Sequence, residues 1–521
     1  MRRSLFLVFV SAVGAACQAA PPPPAHPSPR PPATAPGSPE PAGQPAAAEP
    51  PRVAAPAPPP AATGPIGAAG PFVLAAASPA GSWVALCQPR RDTDGDGRLG
   101  VSVGPHGVLQ GDALDPHLIL PSGKQIPFDE LADFSPDGRW LLLRRGEQVT
   151  TLVDTASETE TELPVAGLDV RADRSSFRPH RTLRFDPQSQ RLLYVQATEG
   201  TQQVVVRHLE GGTEARIDPG EGELWRAEFD PTGSRIVLHM LVDDTNGNGR
   251  LDWPVPPTAV NRWRCQGPVP HLSGWPGRGD AVVTKIADPA GGIAQPVIGL
   301  ATLLGETWVT RDSDDALRLQ GAGVSEPLTP SKCAARVLLA DPGRQLLLVG
   351  CTGAEQVRPP LELVGRGFRK PLDLTTAPMG SDAWPTAAKT PRFVPLRAGS
   401  ANVAIDLQER RVIDVGADRL VLAAHEGRLL FSERGRLGLY DLPGGSVRDL
   451  QTHVVRAEQI LQRGRYVAVG RLLIDLEAGA VAGHFEREPL ALSVSGTGLL
   501  AEQPPSADAL PTGPLAWQAA R

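Results

Sequence analysis

Three features that would narrow the choice of fold or partner are missing from this sequence of 521 residues. No block of Lys and Arg of the kind that grips nucleic acid occurs, and the net charge is −6 with both signs spread along the chain. After residue 17 no apolar run reaches the length of about 20 residues that a membrane helix needs. No amphipathic pattern of helical length interrupts the later sequence. We therefore expect no nucleic-acid partner, no transmembrane helix and no large helical domain.

The N-terminus has the three zones of an export signal. Arg2 and Arg3 are followed by an apolar run, 5–13, that is too short to cross a bilayer, and small residues then lead to Cys17. The segment resembles a bacterial lipobox, although Gly14 occupies the place where Leu is usual. The resemblance implies a signal peptide over 1–16 and acylation of the Cys17 thiol. The alternative is an ordinary secretory signal with an incidental Cys, and both interpretations export the chain.

Residues 17–71 consist almost entirely of Pro, Ala, Gly and Ser. Such a stretch has too few large apolar side chains to offset the entropy of ordering, so we predict a disordered, partly polyproline-like tether. A proline-rich ligand for another domain is the alternative. Gln18, rather than Asp, follows the Cys, and the sorting rule of bacterial lipoproteins then implies the outer membrane. We expect a lipid-anchored protein of the cell envelope, on its periplasmic or surface face.

A turn motif recurs along the rest of the chain. The motif is a tight turn, in which Asp or Ser bonds to the backbone of the following residues, Pro fixes φ and Gly accepts a positive φ. The apolar run after the turn predicts a buried strand. A second element, an apolar pair followed by Asp, precedes another turn. The legible copies of the first motif are 77–86, 134–143, 185–194, 229–238 and 341–348, and those of the second are 152–155, 404–407, 439–442 and 473–476.

The first motif resembles the blade-opening turn of the TolB-type, WD-repeat-like β-propeller, most closely at Phe134-Ser135-Pro136-Asp137-Gly138. The resemblance implies an all-β fold, a single propeller of about seven or eight four-stranded blades over 72–502, with a C-terminal tail over 503–521. The last unit, near 494–499, is expected to pair with the first strand and close the ring. Two stacked β-sandwiches or a split propeller are the alternatives.

Two acidic loops have nearly the same sequence, 92–100 and 244–252, with six of nine positions identical. Each begins 13 residues after the proline of its repeat, Pro79 or Pro231, so we expect equivalent loops between the second and third strands of their blades. The pattern resembles the first half of an EF-hand or dockerin calcium loop. The alternative is a pair of solvated turns, because Asp, Asn and Gly are also common turn formers.

The calcium resemblance implies a defined set of ligands in each loop. Position 12 of the EF-hand, a bidentate Glu, is Val103 or Val255 here, so the missing ligand must come from elsewhere, with Asp112 or Asp115 in the first blade, or water, as the candidates. We predict a structural role for the ion. The predicted metal residues are Asp92, Asp94, Asp96 and the Arg98 carbonyl in the first loop, and Asp244, Asn246, Asn248, the Arg250 carbonyl and Asp252 in the second.

Four cysteines remain besides Cys17. Cys333 and Cys351 are symmetric about the turn at Pro342 of a predicted hairpin, which makes a disulfide between them possible, and two separate thiols are the alternative. The sequence does not decide whether Cys87 and Cys265 pair.

Two function classes fit these features. We expect a monomeric, non-catalytic binding or scaffold propeller, anchored to the membrane by its lipid, with an envelope protein or glycan as partner. The alternative is a calcium-dependent propeller hydrolase, similar to a lactonase, which gathers acidic side chains from several blades around one ion at the channel mouth. The GxSxG pattern around Ser102 follows an acidic turn and not a buried strand, so we expect no serine catalysis there.

Overall fold

The computed structural model describes the chain over a set of ranges with gaps, all within the unit Ala57–Arg521. The described ranges are 65–66, 71–97, 101–103, 109–145, 149–164, 184–198, 201–230, 232–245, 247, 249, 251, 282–293, 295–297, 301–304, 307–311, 317–321, 324–327, 334–341, 344, 346–352, 360–365, 368–375, 392–398, 401–416, 418–453, 460–503 and 510–521. In them the secondary structure is entirely β. No helix in these ranges has the length and apolarity of a membrane span.

In these described ranges forty-two strands follow one another, most of them four to eight residues long. The first half comprises β1 (Pro65–Ile66), β2 (Val73–Ala77), β3 (Val84–Pro89), β4 (Val101–Val103), β5 (Leu109–Gly111), β6 (Leu114–Ile119), β7 (Gln125–Pro127), β8 (Glu130–Phe134), β9 (Trp140–Arg145), β10 (Val149–Asp154), β11 (Thr159–Leu163), β12 (Arg184–Phe185), β13 (Arg191–Thr198), β14 (Thr201–His208), β15 (Glu214–Asp218), β16 (Glu223–Phe229), β17 (Ile236–Leu241), β18 (Val282–Ala287), β19 (Gly292–Ile293), β20 (Gln295–Val297) and β21 (Ala301–Leu304).

The second half of the described chain also consists of short β-strands. It comprises β22 (Thr307–Arg311), β23 (Leu317–Gly321), β24 (Val324–Pro327), β25 (Ala334–Asp341), β26 (Leu346–Thr352), β27 (Pro360–Gly365), β28 (Phe368–Thr375), β29 (Phe393–Ala398), β30 (Ala401–Asp406), β31 (Arg411–Asp414), β32 (Arg419–His425), β33 (Arg428–Glu433), β34 (Arg436–Asp441), β35 (Ser446–His453), β36 (Ile460–Arg463), β37 (Tyr466–Val469), β38 (Leu472–Asp475), β39 (Ala480–His484), β40 (Ala491–Leu492), β41 (Thr497–Gln503) and β42 (Thr512–Ala519).

These strands form a β-propeller of nine small blades in the described part of the chain. In chain order the blades are β2-β3-β6-β7, β8 to β11, β12 to β15 with β19 added, β16-β17-β18-β20, β21 to β24, β25 to β28, β32 to β35, β36 to β39, and β40-β41-β42 with β1 added. A three-stranded sheet, β29 to β31, follows the sixth blade, and β4 and β5 form a separate hairpin. The predicted all-β propeller is confirmed, and the number of blades is close to the seven or eight expected.

The recurring turn joins the first and second strands of its blade, and the turn at Ser135 illustrates why. The amide N–H of Trp140 donates to the Ser135 hydroxyl at 2.9 Å, and the Ser135 amide donates to the Trp140 carbonyl at 2.8 Å. Gly138 closes the turn with a φ of 77°. The strand that follows, Leu141 to Leu143, is fully buried between neighbouring blades, which explains its unbroken apolar sequence.

Turns of successive blades also bond to one another. The indole of Trp83 in the first blade donates to the carbonyl of Gly138 in the second at 2.6 Å. The amide of Asp137 donates to the Ser189 hydroxyl of the third blade at 3.0 Å, and the Arg191 guanidinium donates to the Gly233 carbonyl of the fourth at 2.6 Å. The motif thus fixes the spacing between blades as well as the turn within each.

Ring closure uses both ends of the folded chain. Strand β1 pairs antiparallel with β42, and a bridge joins Pro71 to Thr512. Trp517 is 1% exposed and packs in one cluster with Phe72 of the first blade. Two boundaries drawn from the sequence therefore differ from the structure, because the expected tether contains β1 and the expected tail contains β42. The N-terminal strand pairs with β42, and not with the segment near 494–499, although Val494 does donate to the Pro79 carbonyl at 2.8 Å.

The second repeated element has a clear structural role. Its Asp ends a strand and accepts both from the next turn and from an Arg that precedes the neighbouring strand. Asp154 accepts from Ala156 N at 3.0 Å and from Arg139 Nε at 3.0 Å, and that guanidinium lies 4.9 Å from the Trp140 ring centre. Asp406 with Arg392 and Asp475 with Arg465 repeat the arrangement.

Candidate metal centre and channel cavity

Both acidic loops lie where the sequence predicted them. The first follows β3 and precedes β6, the second and third strands of the first blade, and the second follows β17 and precedes β18, the second and third strands of the fourth blade. The blades of a propeller repeat around its axis in the same orientation, so loops that join the same two strands lie at the same end. The two acidic loops therefore occupy equivalent positions at one end of the propeller.

The first loop is wrapped around the carboxylate of Asp92. Its two oxygens accept the backbone N–H groups of Gly95 at 2.6 Å and Gly97 at 2.8 Å. Both glycines have positive φ, 77° and 79°, and a Cβ at either position would meet nothing within 4 Å. The glycines are thus needed for the backbone conformation and not for packing. The amide of Asp96 donates to the Asp94 carboxylate at 3.2 Å.

Asp112, twenty residues after Asp92, completes the group. One ligand oxygen from each of Asp92, Asp94 and Asp112 lies within 4.8 Å of the others, close enough to hold one metal ion. Asp112 is only 5% exposed, and its carboxylate also accepts the Thr93 amide at 2.5 Å. A buried carboxylate needs such partners, because burial without them is costly.

The structure thereby distinguishes between the two residues that were candidates for the missing metal ligand. Asp112 joins the cluster, whereas Asp115 faces the Arg91 guanidinium at 3.4 Å and is not part of it. Asp96 is outside the cluster of three as well. Arg98, whose carbonyl is a predicted ligand, lies outside the described residues.

The second loop repeats the geometry of the first at its leading residue. The carboxylate of Asp244 accepts the backbone N–H of Gly247 at 2.7 Å and of Gly249 at 2.5 Å, with φ values of 74° and 79° at the two glycines. The other predicted ligands, Asn246, Asn248, Arg250 and Asp252, lie outside the described residues.

Calcium binds six to eight hard oxygens at 2.3–2.6 Å, and carboxylates are its preferred protein ligands. The three clustered carboxylates of the first loop have the right chemistry for such an ion, with backbone carbonyls and water as the ordinary sources of the remaining oxygens. All three belong to a single insertion in one blade, and among the described residues no carboxylate from another blade joins them.

Cys87, in β3, is fully buried and disulfide-bonded. Cys351 lies opposite Ala335 across β25 and β26, and Cys333 is outside the described residues, so a bond between those two stays a prediction. Ser102 lies in the middle of the short strand β4, opposite Gln110.

A cavity of about 520 Å³ lies on the channel side of four consecutive blades, the last two and the first two. We call it the channel cavity. Its walls come from β2, β36 and the β40 segment together with Phe134, and they are apolar apart from Gln462 and Arg463. No acidic side chain is among its described lining residues. Sequence reasoning missed this site, because its residues are individually ordinary and are far apart in the chain.

No protein-family model and no curated protein matches this chain. Solved structures with similar folds include dipeptidyl peptidase 4 of Porphyromonas gingivalis (12% identity, TM-score 0.36, 76% of this chain and 54% of that one) and the acylaminoacyl peptidase of Pyrococcus horikoshii (12%, 0.30, 60% and 50%). TolB of Acinetobacter baumannii is similar at 12% identity and a TM-score of 0.24, over 56% of this chain and 64% of that one. The chain spans about half the length of the two peptidase chains. The similarity extends to the β-propeller fold and no further.

Proposed function

We propose that this protein is a lipid-anchored propeller of the bacterial cell envelope that acts as a non-catalytic binding or scaffold module, with its acidic loops stabilised by calcium. The observation that carries the proposal is the separation of the acidic cluster from the channel cavity. Asp92, Asp94 and Asp112 come from one insertion, and the described lining of the cavity is apolar with one Arg and one Gln.

The alternative, a calcium-dependent hydrolase, needs a different arrangement. In that class several blades contribute acidic side chains to one ion at the mouth of the channel. The clustered carboxylates among the described residues of this protein are instead grouped within a single insertion, where an ion would stiffen a long loop. The arrangement therefore favours a structural ion over a catalytic one.

Export is supported by two independent features. The lipobox-like segment ends at Cys17, and Cys87 in the folded body is disulfide-bonded. Disulfides persist in oxidising compartments such as the periplasm and the cell surface, and are rare in the cytosol.

Metabolic labelling tests the anchor. Cells expressing the full chain are grown with radiolabelled palmitate, and the protein is recovered from membranes and from the soluble fraction. We expect label in the membrane-bound protein and none in a Cys17→Ser variant, with a Gln18→Ser variant as a control that keeps its label. Unlabelled wild-type protein in the soluble fraction would contradict the anchor.

A partner search tests the binding role. Envelope proteins are crosslinked in cells to the full chain, and the purified protein is assayed against a panel of lactones and esters with and without calcium. We expect a reproducible crosslinked partner and no turnover. Calcium-dependent turnover that disappears in an Asp92→Ala, Asp94→Ala double variant would contradict the binding role and support the calcium-dependent hydrolase.

A further inference from the structure

Arg463 differs from three other arginines that border strands of this propeller. Arg139, Arg191 and Arg465 each pair with an Asp at 3.4 Å or less. The guanidinium of Arg463, at the end of β36, has no carboxylate or hydrogen-bond acceptor among the described residues, although it lines the channel cavity. Its side chain remains accessible to solvent, while the surrounding wall lowers its pKa by desolvation. A cation held in this way gains from an anion that enters the cavity.

The rest of the cavity wall is apolar. Leu74, Phe134, Leu461 and Leu490 are each partly buried, so they keep surface that a ligand can cover. The volume of about 520 Å³ lies within the range of roughly 300–1,000 Å³ that is usual for binding pockets. A ligand that fits this site combines an apolar body with one negative charge.

The cavity also presents edges of β-sheets. Strands β2, β36 and β40 are each the terminal strand of a blade and pair with a neighbouring strand on one side only among the described residues. Their other edges are on the side of the cavity. Backbone N–H and C=O groups along such an edge pair readily with an extended peptide.

We propose that the channel cavity binds the C-terminal end of an apolar peptide, with the terminal carboxylate paired to Arg463. One planar guanidinium matches one carboxylate through two parallel hydrogen bonds, whereas a phosphate dianion would need further donors. The strand edges select a peptide over a small organic acid, and the walls select apolar side chains. This inference rests on the proposed binding function and names the class of its partner.

Binding of peptide libraries tests the proposal. Two fluorescent libraries with four randomised C-terminal residues, one ending in a free carboxylate and the other in an amide, are selected against the full chain, and enriched sequences are measured by anisotropy. We expect enrichment of apolar residues in the free-acid library, with the amidated counterparts binding about 10- to 100-fold more weakly. Arg463→Gln should abolish the preference for the free acid, and Arg463→Lys should reduce it. Arg436→Gln, at an exposed position of β34, is the matched control and should leave it intact.

Three outcomes would overturn the proposal. They are equal affinity for free and amidated peptides, a preference that survives Arg463→Gln at an unchanged melting temperature, and binding of dodecanoate in place of any peptide. The proposed function fails differently. If a crosslinked envelope partner is recovered equally by wild type and Arg463→Gln, the binding module stands and the channel cavity is not its site.

Discussion

The indole nitrogen of Trp83 donates a hydrogen bond of 2.6 Å to the carbonyl oxygen of Gly138, across the junction of the first two blades. A Cβ at Gly138 would lie 2.7 Å from the Pro79 ring of the first-blade turn. The two turns are thus in direct contact, and the glycine is required both by its φ of 77° and by the lack of space.

Gly138→Ala is therefore expected to destabilise the propeller more than an equivalent change elsewhere. Gly445→Ala is the control, because Gly445 has a φ of 66° and open space around its Cβ position. Strain from positive φ costs each variant about 1–2 kcal/mol, and overpacking adds about 1–3 kcal/mol to Gly138→Ala only. Urea unfolding of both variants measures the difference. Equal losses would mean that the contact between turns is unimportant.

Ring closure predicts different effects of two N-terminal truncations. A chain that starts at residue 57 keeps β1, whereas one that starts at residue 72 loses β1 and the bridge from Pro71 to Thr512. We expect the shorter chain to be less stable by about 1–3 kcal/mol, since a few backbone hydrogen bonds between the ends of the ring are lost. Thermal and urea unfolding of the two chains test this. If their stabilities are the same, β1 does not contribute to closure.

The acidic cluster predicts that Asp112 and Asp115 respond differently to calcium. With calcium at about 100 times its Kd, a single site raises the stability of wild type by roughly 2.7 kcal/mol. We expect Asp112→Ala to lose most of this gain and Asp115→Ala to keep it, because only Asp112 lies in the cluster. Calorimetric titration and melting curves with calcium and with EDTA provide the measurement. If titration of the wild-type protein with calcium releases or absorbs no heat, the proposed calcium site is wrong.

Asp133 predicts a pH dependence of stability. Burial raises its pKa from 3.8 to about 6, against the opposing effect of Arg184 at 3.7 Å. The folded state therefore binds this proton more tightly than the unfolded state. The resulting stability is fully present below pH 4 and is lost as the pH rises from 4 to 6.

Asp133→Asn removes this titration and retains an oxygen that can accept the Phe134 amide. Relative to wild type, the variant is expected to gain up to about 3 kcal/mol in stability between pH 4 and pH 7. Urea unfolding at several pH values provides the comparison. A difference between the two proteins that does not vary with pH would show that Asp133 keeps an ordinary pKa.

Much of this fold was predictable because the relevant signals are local. A turn such as the one at Ser135 to Gly138 depends on residues a few positions apart, and the strands after it are buried on both faces and so apolar throughout. The near-identity of the two acidic loops likewise predicted their equivalent positions between second and third strands. The Arg–Asp–ring units were missed, although an Arg directly before an aromatic residue, as at Arg139, was a signal for them.

Contacts between residues that are far apart in the sequence could not be predicted in the same way. The sequence by itself determined the repeated turns, the buried strands and the two acidic loops, because each depends on neighbouring residues, and it predicts an export signal that ends at Cys17. Only the tertiary structure decided that Asp112 and not Asp115 joins Asp92, that β1 completes the last blade, and that Arg463 faces the channel cavity. The first of these depends on how the insertion between β3 and β6 folds back on itself, and the other two depend on how the ring brings its last and first blades together.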